Sequence, residues 1–252
     1  MQGYLTHLRQ VFENANVISQ RENRIVIRSH CTDTSESIII KMWSRPDLNG
    51  SVRRLLQIAA CNHEWRNLTR MSLTGIAVPR PLGFSQVAPT IAGYTDVLFM
   101  EDMGTCESAT DHLKRLIQAK QEQQAVIFED AQIQMTVQLL DAGILDIDHG
   151  MHNIVVSPSG KVIKLDVELA RYVVWPRLFP AMYGQMLGRM IGMHAFAVQP
   201  EMSRTTHFAD RLRANLQPPL DILKRAGIYA RVMMQNQLKK TGIDTRLILS
   251  WD

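Results

Sequence analysis

The sequence predicts an α+β protein whose first part is rich in antiparallel strands and whose second part is mainly helical. Three observations lead to this prediction. Runs of β-branched residues joined by short polar turns extend from about residue 16 to about residue 43. Apolar residues at helical spacing dominate from about residue 109 onward. A single pattern typical of a short hairpin interrupts them between residues 153 and 166.

The first part begins with a predicted short helix over residues 1–13, where apolar residues recur at helical spacing. The segments NVISQ, RIVIRSH and SIIIKMW then predict three strands joined by the polar turns RENR and CTDTSES, as in an antiparallel meander. An apolar stripe predicts a helix from about Asn49 to Thr74, and Gly75 is a common helix stop. The prolines of AVPRPLGFS favour an extended chain, and YTDVLFMED predicts a fourth strand.

The second part follows the polar link GTCESATDH. Helices are predicted over about residues 109–119 and 121–142, and again from Pro180 onward. Between them, NIVV and KVIKLD predict two short strands joined by the turn SPSG. We therefore predict an N-terminal unit of residues 1–103 and a C-terminal unit of residues 104–252, with a ligand-binding cleft between the two lobes.

The composition limits the possible functions. The chain has 252 residues, of which 46% are hydrophobic, enough to bury one large core or two smaller ones. A net charge of +4 suits an anionic ligand or an anionic membrane surface, and without a long basic run we expect no nucleic-acid partner. The three cysteines, Cys31, Cys61 and Cys106, are scattered and predict neither a metal site nor a disulfide framework.

The chain also lacks the patterns of export and membrane insertion. Its first residues, MQGYLTHLRQ, contain no long apolar core, so we expect no signal peptide. No segment approaches the roughly 18 apolar residues that span a bilayer. We expect a soluble or at most peripheral protein of the reducing cytoplasm.

The segment 146–166 carries the candidate catalytic residues. Asn153 follows Asp148 by five residues, and Asp166 closes the second strand of the predicted hairpin. Phosphoryl transfer from ATP needs a carboxylate that accepts the proton of the attacking hydroxyl, and oxygen ligands that hold magnesium. The five-residue spacing matches the catalytic loop of kinases, and the hairpin would bring Asn153 and Asp166 to one metal ion.

Two other interpretations of this segment remain open. Asp146, Asp148, His149 and His152 could form a transition-metal cluster, because imidazole and carboxylate bind zinc and iron, although no second histidine motif completes it. Alternatively, Asp148 and Asn153 could be incidental residues of a solvated loop. His149 and His152 would then pack the loop, form hydrogen bonds or contact substrate.

Lys41 ends the apolar run Ile38–Ile40 of the third predicted strand, where a buried lysine requires a partner. A strand lysine that contacts ATP phosphates pairs with a glutamate on a helix, and Glu64 on the following predicted helix could reach it. The alternative is a solvent-exposed lysine at a strand end. The strand LFMEDMG fits a hinge that binds adenine through its backbone, although any strand leaving a core would look similar.

These residues together resemble the protein-kinase-like superfamily, and most closely the bacterial lipopolysaccharide core kinases of the Kdo/heptose kinase family. A more distant resemblance extends to the Rio and aminoglycoside phosphotransferase families. The resemblance covers about residues 15–200. It is carried by IIIKMW, EWRNLTRMSLTGIAVPRPLG, VLFMEDMG, GILDIDHGMHNIVV and KVIKLDVELAR.

The resemblance implies a two-lobed protein-kinase-like fold, with a small antiparallel β-rich N-lobe, a mainly helical C-lobe, and ATP and Mg²⁺ in the cleft. Seven residues match the positions that have functional roles in the family: Lys41 on the phosphates, Glu64 as its ion-pair partner, Glu101 and Met103 at the hinge, Asp148 as catalytic base, and Asn153 and Asp166 as magnesium ligands.

The chain departs from the family pattern at four points. Asp146 stands where the family has a histidine, and we expect it to brace the loop by accepting backbone hydrogen bonds. The first turn, SQRENR, has no glycine, so Arg21 or Arg24 would supply charge in place of a tight backbone cradle. The metal motif reads DVE instead of Asp-Phe-Gly, and no Ala-Pro-Glu follows, which disfavours a peptide substrate.

We therefore expect an ATP- and Mg²⁺-dependent kinase that phosphorylates a hydroxyl of a lipopolysaccharide core sugar or related glycan. A Ser/Thr protein or a small metabolite is the alternative acceptor. A catalytically inactive, nucleotide-binding pseudokinase or scaffold is the alternative from another class, favoured by Asp146 and the glycine-free turn. The expected location is the cytoplasm, with peripheral contact to anionic lipid at the inner face of the bacterial inner membrane.

Overall fold

The computed structural model describes residues 15–30, 37–44, 48–56, 59–91, 93–241 and 247–251. The chain divides into two compact units. The first lies within Met1–Leu73 and Val78–Gly104, and the second within Thr74–Ala77 and Thr105–Asp252. An antiparallel sheet in the first unit and a mainly helical second unit confirm the predicted α+β class. The helix predicted over residues 1–13 and most of the turn CTDTSES lie outside the described residues.

The first unit contains a five-stranded antiparallel sheet in the order β1-β2-β3-β5-β4. Its central strand, β3, pairs with β2 on one side and β5 on the other, so that Ile40 lies between Ile27 and Phe99. These three side chains are buried in one apolar cluster, because β-branched and aromatic residues alternate toward the same face. The strands are β1 Asn16–Arg21, β2 Arg24–His30, β3 Ser37–Trp43, β4 Pro81–Ile91 and β5 Tyr94–Glu101.

Two helices follow β3, where the sequence predicted one. Helix α1 spans Leu48–Leu55 and α2 spans Ala60–Leu73. The single-helix prediction is wrong because Leu55 and Leu56, taken as part of a continuous apolar stripe, are exposed. In α2, Glu64, Leu68 and Met71 share the buried face at the helical spacing of three and four residues.

The second unit is built on five helices among the described residues: α3 Ala109–Gln118, α4 Glu122–Asp141, α5 Pro180–Val198, α6 Met202–Leu216 and α7 Leu220–Thr241. Ser108 caps α3 by accepting a hydrogen bond from the Asp111 amide, at 3.1 Å. The buried carboxylate of Glu129 on α4 joins two other helices, because it contacts His194 Nε2 on α5 at 3.0 Å and Arg204 Nε on α6 at 2.6 Å.

Short strands of the second unit, which precede α3 or lie between α4 and α5, position the loop of interest. The predicted hairpin is present, with β8 Ile154–Val156 paired to β9 Val162–Lys164, and Gly160 adopts the left-handed φ of +80° in its turn. The remaining strands are β6 Glu107–Ser108, which pairs with β8, β7 Ile144–Asp146, and β10 Ala170–Tyr172, which pairs with β7. Residues 74–77 belong with this unit, since the Ala77 carbonyl accepts a hydrogen bond from the Lys164 amide at 2.8 Å.

Helices α5 and α7 approach each other closely along a seam of glycines. Gly184, Gly188 and Gly192 recur every four residues, so they lie on one face of α5. A β-carbon added at Gly188 would lie 2.5 Å from the Ala226 carbonyl oxygen of α7. The absence of side chains at these positions is therefore what permits this packing. None of the described helices is long and apolar enough to cross a membrane.

Candidate active site

Lys41 and Glu64 form an ion pair inside the first unit. Lys41 Nζ lies 2.6 Å from Glu64 Oε2, and both side chains are buried. Strand β3 carries the lysine, and the buried face of α2 carries the glutamate. The predicted ion pair is confirmed, and the alternative of a solvent-exposed lysine is wrong. A buried ammonium group would be unfavourable without such a partner, so the pair fixes the position of a positive charge.

The segment after β5 is held by Asp102, a residue that the sequence did not single out. Its carboxylate accepts hydrogen bonds from Ser37 Oγ at 2.6 Å and from the Gly104 amide at 3.0 Å, and pairs with Arg28 Nε at 2.7 Å. Burial raises the pKa of Asp102, but these hydrogen bonds and the Arg28 charge hold it below its ordinary value. The flanking residues, Glu101 and Met103, are half-buried.

Asp146 lies at the end of β7 and is completely buried. Its Oδ1 accepts a hydrogen bond from the Asp148 amide at 2.9 Å, and its Oδ2 lies 2.8 Å from the buried Lys164 Nζ. Lys164 on β9 also donates to the Leu165 carbonyl at 2.9 Å. The prediction that Asp146 braces the loop by accepting a backbone hydrogen bond is confirmed. An inaccessible carboxylate already paired with lysine cannot reach an acceptor hydroxyl.

Asp148 lies two residues later in a different environment, with its side chain 20% exposed. Asn153 Nδ2 donates to Asp148 Oδ2 at 2.9 Å, while Arg189 Nη2 and His152 Nε2 lie 2.6 and 3.3 Å from Oδ1. Burial raises the pKa of Asp148, but the His152 hydrogen bond, the Arg189 charge and the Asn153 amide hold it below its ordinary value. This carboxylate therefore stays ionised at neutral pH.

The amide of Asn153 is oriented by Asp148. Its Nδ2 donates to both the Asp148 carbonyl, at 3.0 Å, and the Asp148 carboxylate. Since both N–H groups are directed at Asp148, the Oδ1 oxygen is the part of the amide left for a cation. The orientation of the amide thus follows from its hydrogen bonds.

Asp166 follows β9 at the same end of the hairpin as Asn153, because the Leu165 amide donates to the Asn153 carbonyl at 2.8 Å. Its backbone has a φ of +48°, the left-handed region that non-glycine residues rarely adopt. Lys120 and Gln217 adopt the same region, so this conformation orients the Asp166 carboxylate but does not by itself mark a functional position. An amide oxygen and a carboxylate are hard oxygen ligands, so this pair fits Mg²⁺ better than a soft metal.

The transition-metal interpretation of this loop is wrong. Among the described residues, Asp146, Asp148, His149 and His152 do not bring three ligand atoms close enough to hold one ion. His149 is completely buried, and its Nε2 shares a 2.9 Å hydrogen bond with the Thr136 hydroxyl. Burial, followed by the positive charges of Lys164 and His152, lowers the pKa of His149 well below its ordinary value. His149 is therefore a neutral packing residue.

Sequence reasoning missed two cations near the loop, Arg189 and Lys164. Both stand as single charges in apolar runs, MLGRMIG in α5 and VIKL in β9, and that isolation was the available signal. Arg189 Nε is buried and has no hydrogen-bond partner among the described residues. The guanidinium is thus held against Asp148 by one nitrogen while another remains unsatisfied.

Comparison with solved structures identifies the class of fold. The structure of WaaP in complex with acyl carrier protein has a TM-score of 0.62 with this chain, at 12% sequence identity, over 94% of this chain and 92% of that one. The structure of WbdD with the kinase inhibitor LY294002 gives a TM-score of 0.45, 14% identity, and coverage of 90% and 45%. No curated protein matches the chain in sequence. The fold is therefore the kinase-like α+β fold of WaaP.

The family follows from the sequence. The model of the lipopolysaccharide kinase (Kdo/WaaP) family matches residues 13–175. The chain belongs to this family, as its resemblance predicted, and is a phosphotransferase with an alcohol group as acceptor.

Proposed function

We propose that this protein is an ATP- and Mg²⁺-dependent kinase that transfers the γ-phosphoryl group to a hydroxyl of a lipopolysaccharide core sugar or related glycan. The observation that carries the proposal is the state of Asp148, which is partly exposed, ionised and hydrogen-bonded to Asn153, whereas Asp146 is buried and braces the loop. The proposed place of action is the cytoplasmic face of the inner membrane, where such an acceptor would be presented.

Asp148 is the proposed catalytic base. Its Oδ2 accepts the Asn153 amide hydrogen and its Oδ1 faces Arg189 and His152, so the carboxylate is fixed in one orientation. A lowered pKa keeps it deprotonated, ready to orient the acceptor hydroxyl and to take its proton as the phosphoryl group is transferred.

Asn153 Oδ1 and the Asp166 carboxylate are the proposed magnesium ligands. Bound magnesium would supply positive charge that offsets the charge of the transferring phosphoryl group. The chain's own part is to orient these oxygens, which the Asn153 hydrogen bonds and the left-handed backbone of Asp166 do.

The proposed nucleotide-binding residues lie in the first unit. Glu64 fixes the position of the Lys41 ammonium group, so that Lys41 can donate to phosphate oxygens of ATP. Glu101 and Met103 are proposed to bind adenine through their backbone groups. Asp102 would support them by holding the chain between β5 and Gly104 with its hydrogen bonds.

A phosphate-transfer assay tests the proposal. Purified protein is mixed with ATP labelled in the γ-phosphate, magnesium and delipidated core oligosaccharide, and labelled sugar is measured. Transfer should require magnesium and disappear in Asp148→Asn, whereas Asp141→Asn, which changes an exposed acid of the same unit, should keep it. Labelling of a protein or a metabolite alone would favour the other acceptors, and ATP binding without transfer to any acceptor would favour the scaffold.

A further inference from the structure

A short segment between β10 and α5 exposes an unusual amount of apolar surface. Residues 173–180 read VVWPRLFP, and Val174, Trp175 and Leu178 are 82%, 66% and 67% exposed, with Phe179 exposed as well. We call residues 174–179 the apolar segment. Soluble monomers rarely expose adjacent large apolar residues without an interaction to explain them. Neither the proposed catalytic residues nor the ion pair uses this segment.

The backbone of the apolar segment is hydrogen-bonded. Its centre is a 3-10 turn over Pro176–Leu178, closed by hydrogen bonds of 3.0 Å from Leu178 N to Trp175 O and from Phe179 N to Pro176 O. At its base, the Val173 amide donates to the Gly143 carbonyl at 2.7 Å. These hydrogen bonds hold the backbone in a conformation that leaves the apolar side chains exposed.

Two arginines, Arg171 and Arg177, lie beside and within the apolar segment. Arg171 and Arg177 are exposed, and no acidic residue occurs from position 169 to position 179. Helix α7 adds the exposed Arg225, whose Cβ lies beside Gly184, about one turn into α5 from the segment. Tryptophan and aliphatic side chains bordered by arginines form the pattern that binds the interface of an anionic membrane.

We propose that the apolar segment docks this protein on a lipid bilayer with anionic headgroups. Trp175 and Leu178 enter the interfacial region, while Arg171 and Arg177 pair with headgroup phosphates. This docking proposal rests on the proposed function, because a membrane-anchored glycan is the acceptor that docking would bring within reach. Lipid binding itself needs no turnover, so it can be measured separately.

Vesicle sedimentation tests the docking surface. The full chain is centrifuged with phosphatidylethanolamine vesicles that contain phosphatidylglycerol, and with uncharged phosphatidylcholine vesicles. We expect binding to the anionic vesicles that weakens with salt. Trp175→Ser combined with Leu178→Ser should lower the partition coefficient at least about tenfold, and Arg177→Glu should lower it on anionic vesicles only. Ile127→Ser, which removes a side chain 60% exposed on α4, is the matched control and should bind like the unmodified protein.

Several outcomes would overturn the proposal. The first is that the double variant and the unmodified protein sediment equally with anionic vesicles, and the second is that neither sediments. The third is that the double substitution converts a dimer into a monomer, which would make the segment a self-association face. An acidic protein as the true partner would give no binding to protein-free vesicles. Vesicle binding without phosphate transfer to any acceptor would support docking and count against the proposed function. Phosphate transfer without vesicle binding would support the proposed function and count against docking.

Discussion

Two aspartates, Asp146 and Asp148, stand two residues apart and have opposite environments. The first is buried and paired with Lys164, and the second is partly exposed and contacts Arg189. The Asp146 carboxylate therefore has a structural role, whereas the Asp148 carboxylate is available for catalysis. The difference comes from the direction of each side chain relative to β7 and the hairpin, which the spacing of residues alone does not reveal.

We predict that replacing each aspartate separates these roles. Asp148→Asn should reduce phosphate transfer by about 10²- to 10⁴-fold, the typical contribution of a general base, while ATP binding is kept. Asp146→Asn leaves the buried Lys164 uncompensated and should lower the free energy of unfolding by about 3–5 kcal/mol. Transfer assays, calorimetric titration of ATP and urea unfolding measure the three effects. The reverse result would mean that the catalytic position is assigned two residues too late.

Arg189 makes a prediction about pH. A nearby positive charge favours the ionised carboxylate, so Arg189→Ala should raise the pKa of Asp148 from its lowered value. The acid limb of the kcat/KM profile should then move to higher pH, with less activity lost at neutral pH than in acid. Arg213→Ala, which removes an exposed arginine of α6, should leave the limb in place. An unmoved limb in Arg189→Ala would show that Asp148 is not the titrating base.

The ion pair of the first unit can be tested by a double substitution. Glu64→Gln leaves the Lys41 ammonium buried without its partner and should destabilise the protein by about 3–5 kcal/mol. Adding Lys41→Met removes the unpaired charge and should restore much of that stability without restoring transfer. Urea unfolding and phosphate-transfer assays distinguish a role of Lys41 in transfer from a purely structural role. If the role were only structural, activity would return together with stability in the double variant.

At the scale of single residues, the sequence predicted what is local. The strand position of Lys41 led to the predicted ion pair with Glu64, and the family resemblance led to the predicted bracing of the loop by Asp146. The structure contains both contacts. It did not predict Arg189, since the contact of an α5 side chain with a loop about forty residues earlier depends on helix packing. The functional roles of the site residues stay predictions until they are measured.

At the scale of elements, the glycine seam of α5 determines how closely α7 can pack. An added methyl group at Gly188 would meet the Ala226 carbonyl, so the two helices would have to separate. We predict that Gly188→Ala lowers the free energy of unfolding by about 1–3 kcal/mol, the usual effect of overpacking. Gly83→Ala in β4, where an added β-carbon meets nothing within 4 Å, should change stability much less. Similar effects in urea unfolding for both variants would contradict this reading of the seam.

The sequence predicted most elements but not this seam. The turn SPSG correctly indicated the hairpin, and helical spacing indicated α3 and α4 to within about two residues. A four-residue repeat of glycine lowers helix propensity, and it favours the fold only when another helix packs closely against it. The same lack of context joined α1 and α2 into one predicted helix, because exposed leucines look like core leucines in a sequence.

At the scale of the whole molecule, ligand binding should appear as added stability. A ligand present at a hundred times its dissociation constant stabilises a protein by about 2.7 kcal/mol if it binds only the folded state. We predict that ATP with magnesium raises the melting temperature more than ATP alone. Asp166→Ala should abolish magnesium-dependent turnover and the extra shift while leaving the circular dichroism spectrum unchanged.

The control for this prediction is Asp141→Ala, which removes an exposed carboxylate of the same unit and should respond to magnesium like the unmodified protein. Undiminished magnesium-dependent turnover in a folded Asp166→Ala variant would remove Asp166 from the metal site. An equal thermal shift with and without magnesium in the unmodified protein would argue against a metal-assisted nucleotide site altogether.

The left-handed backbone of Asp166 sets folding stability against the proposed chemistry at one position. Glycine adopts a φ of +48° without the steric conflict that a β-carbon brings, so folding alone favours glycine at this position. The carboxylate is therefore present at a cost in conformational energy, and binding of a metal ion is the use that the proposed function gives it.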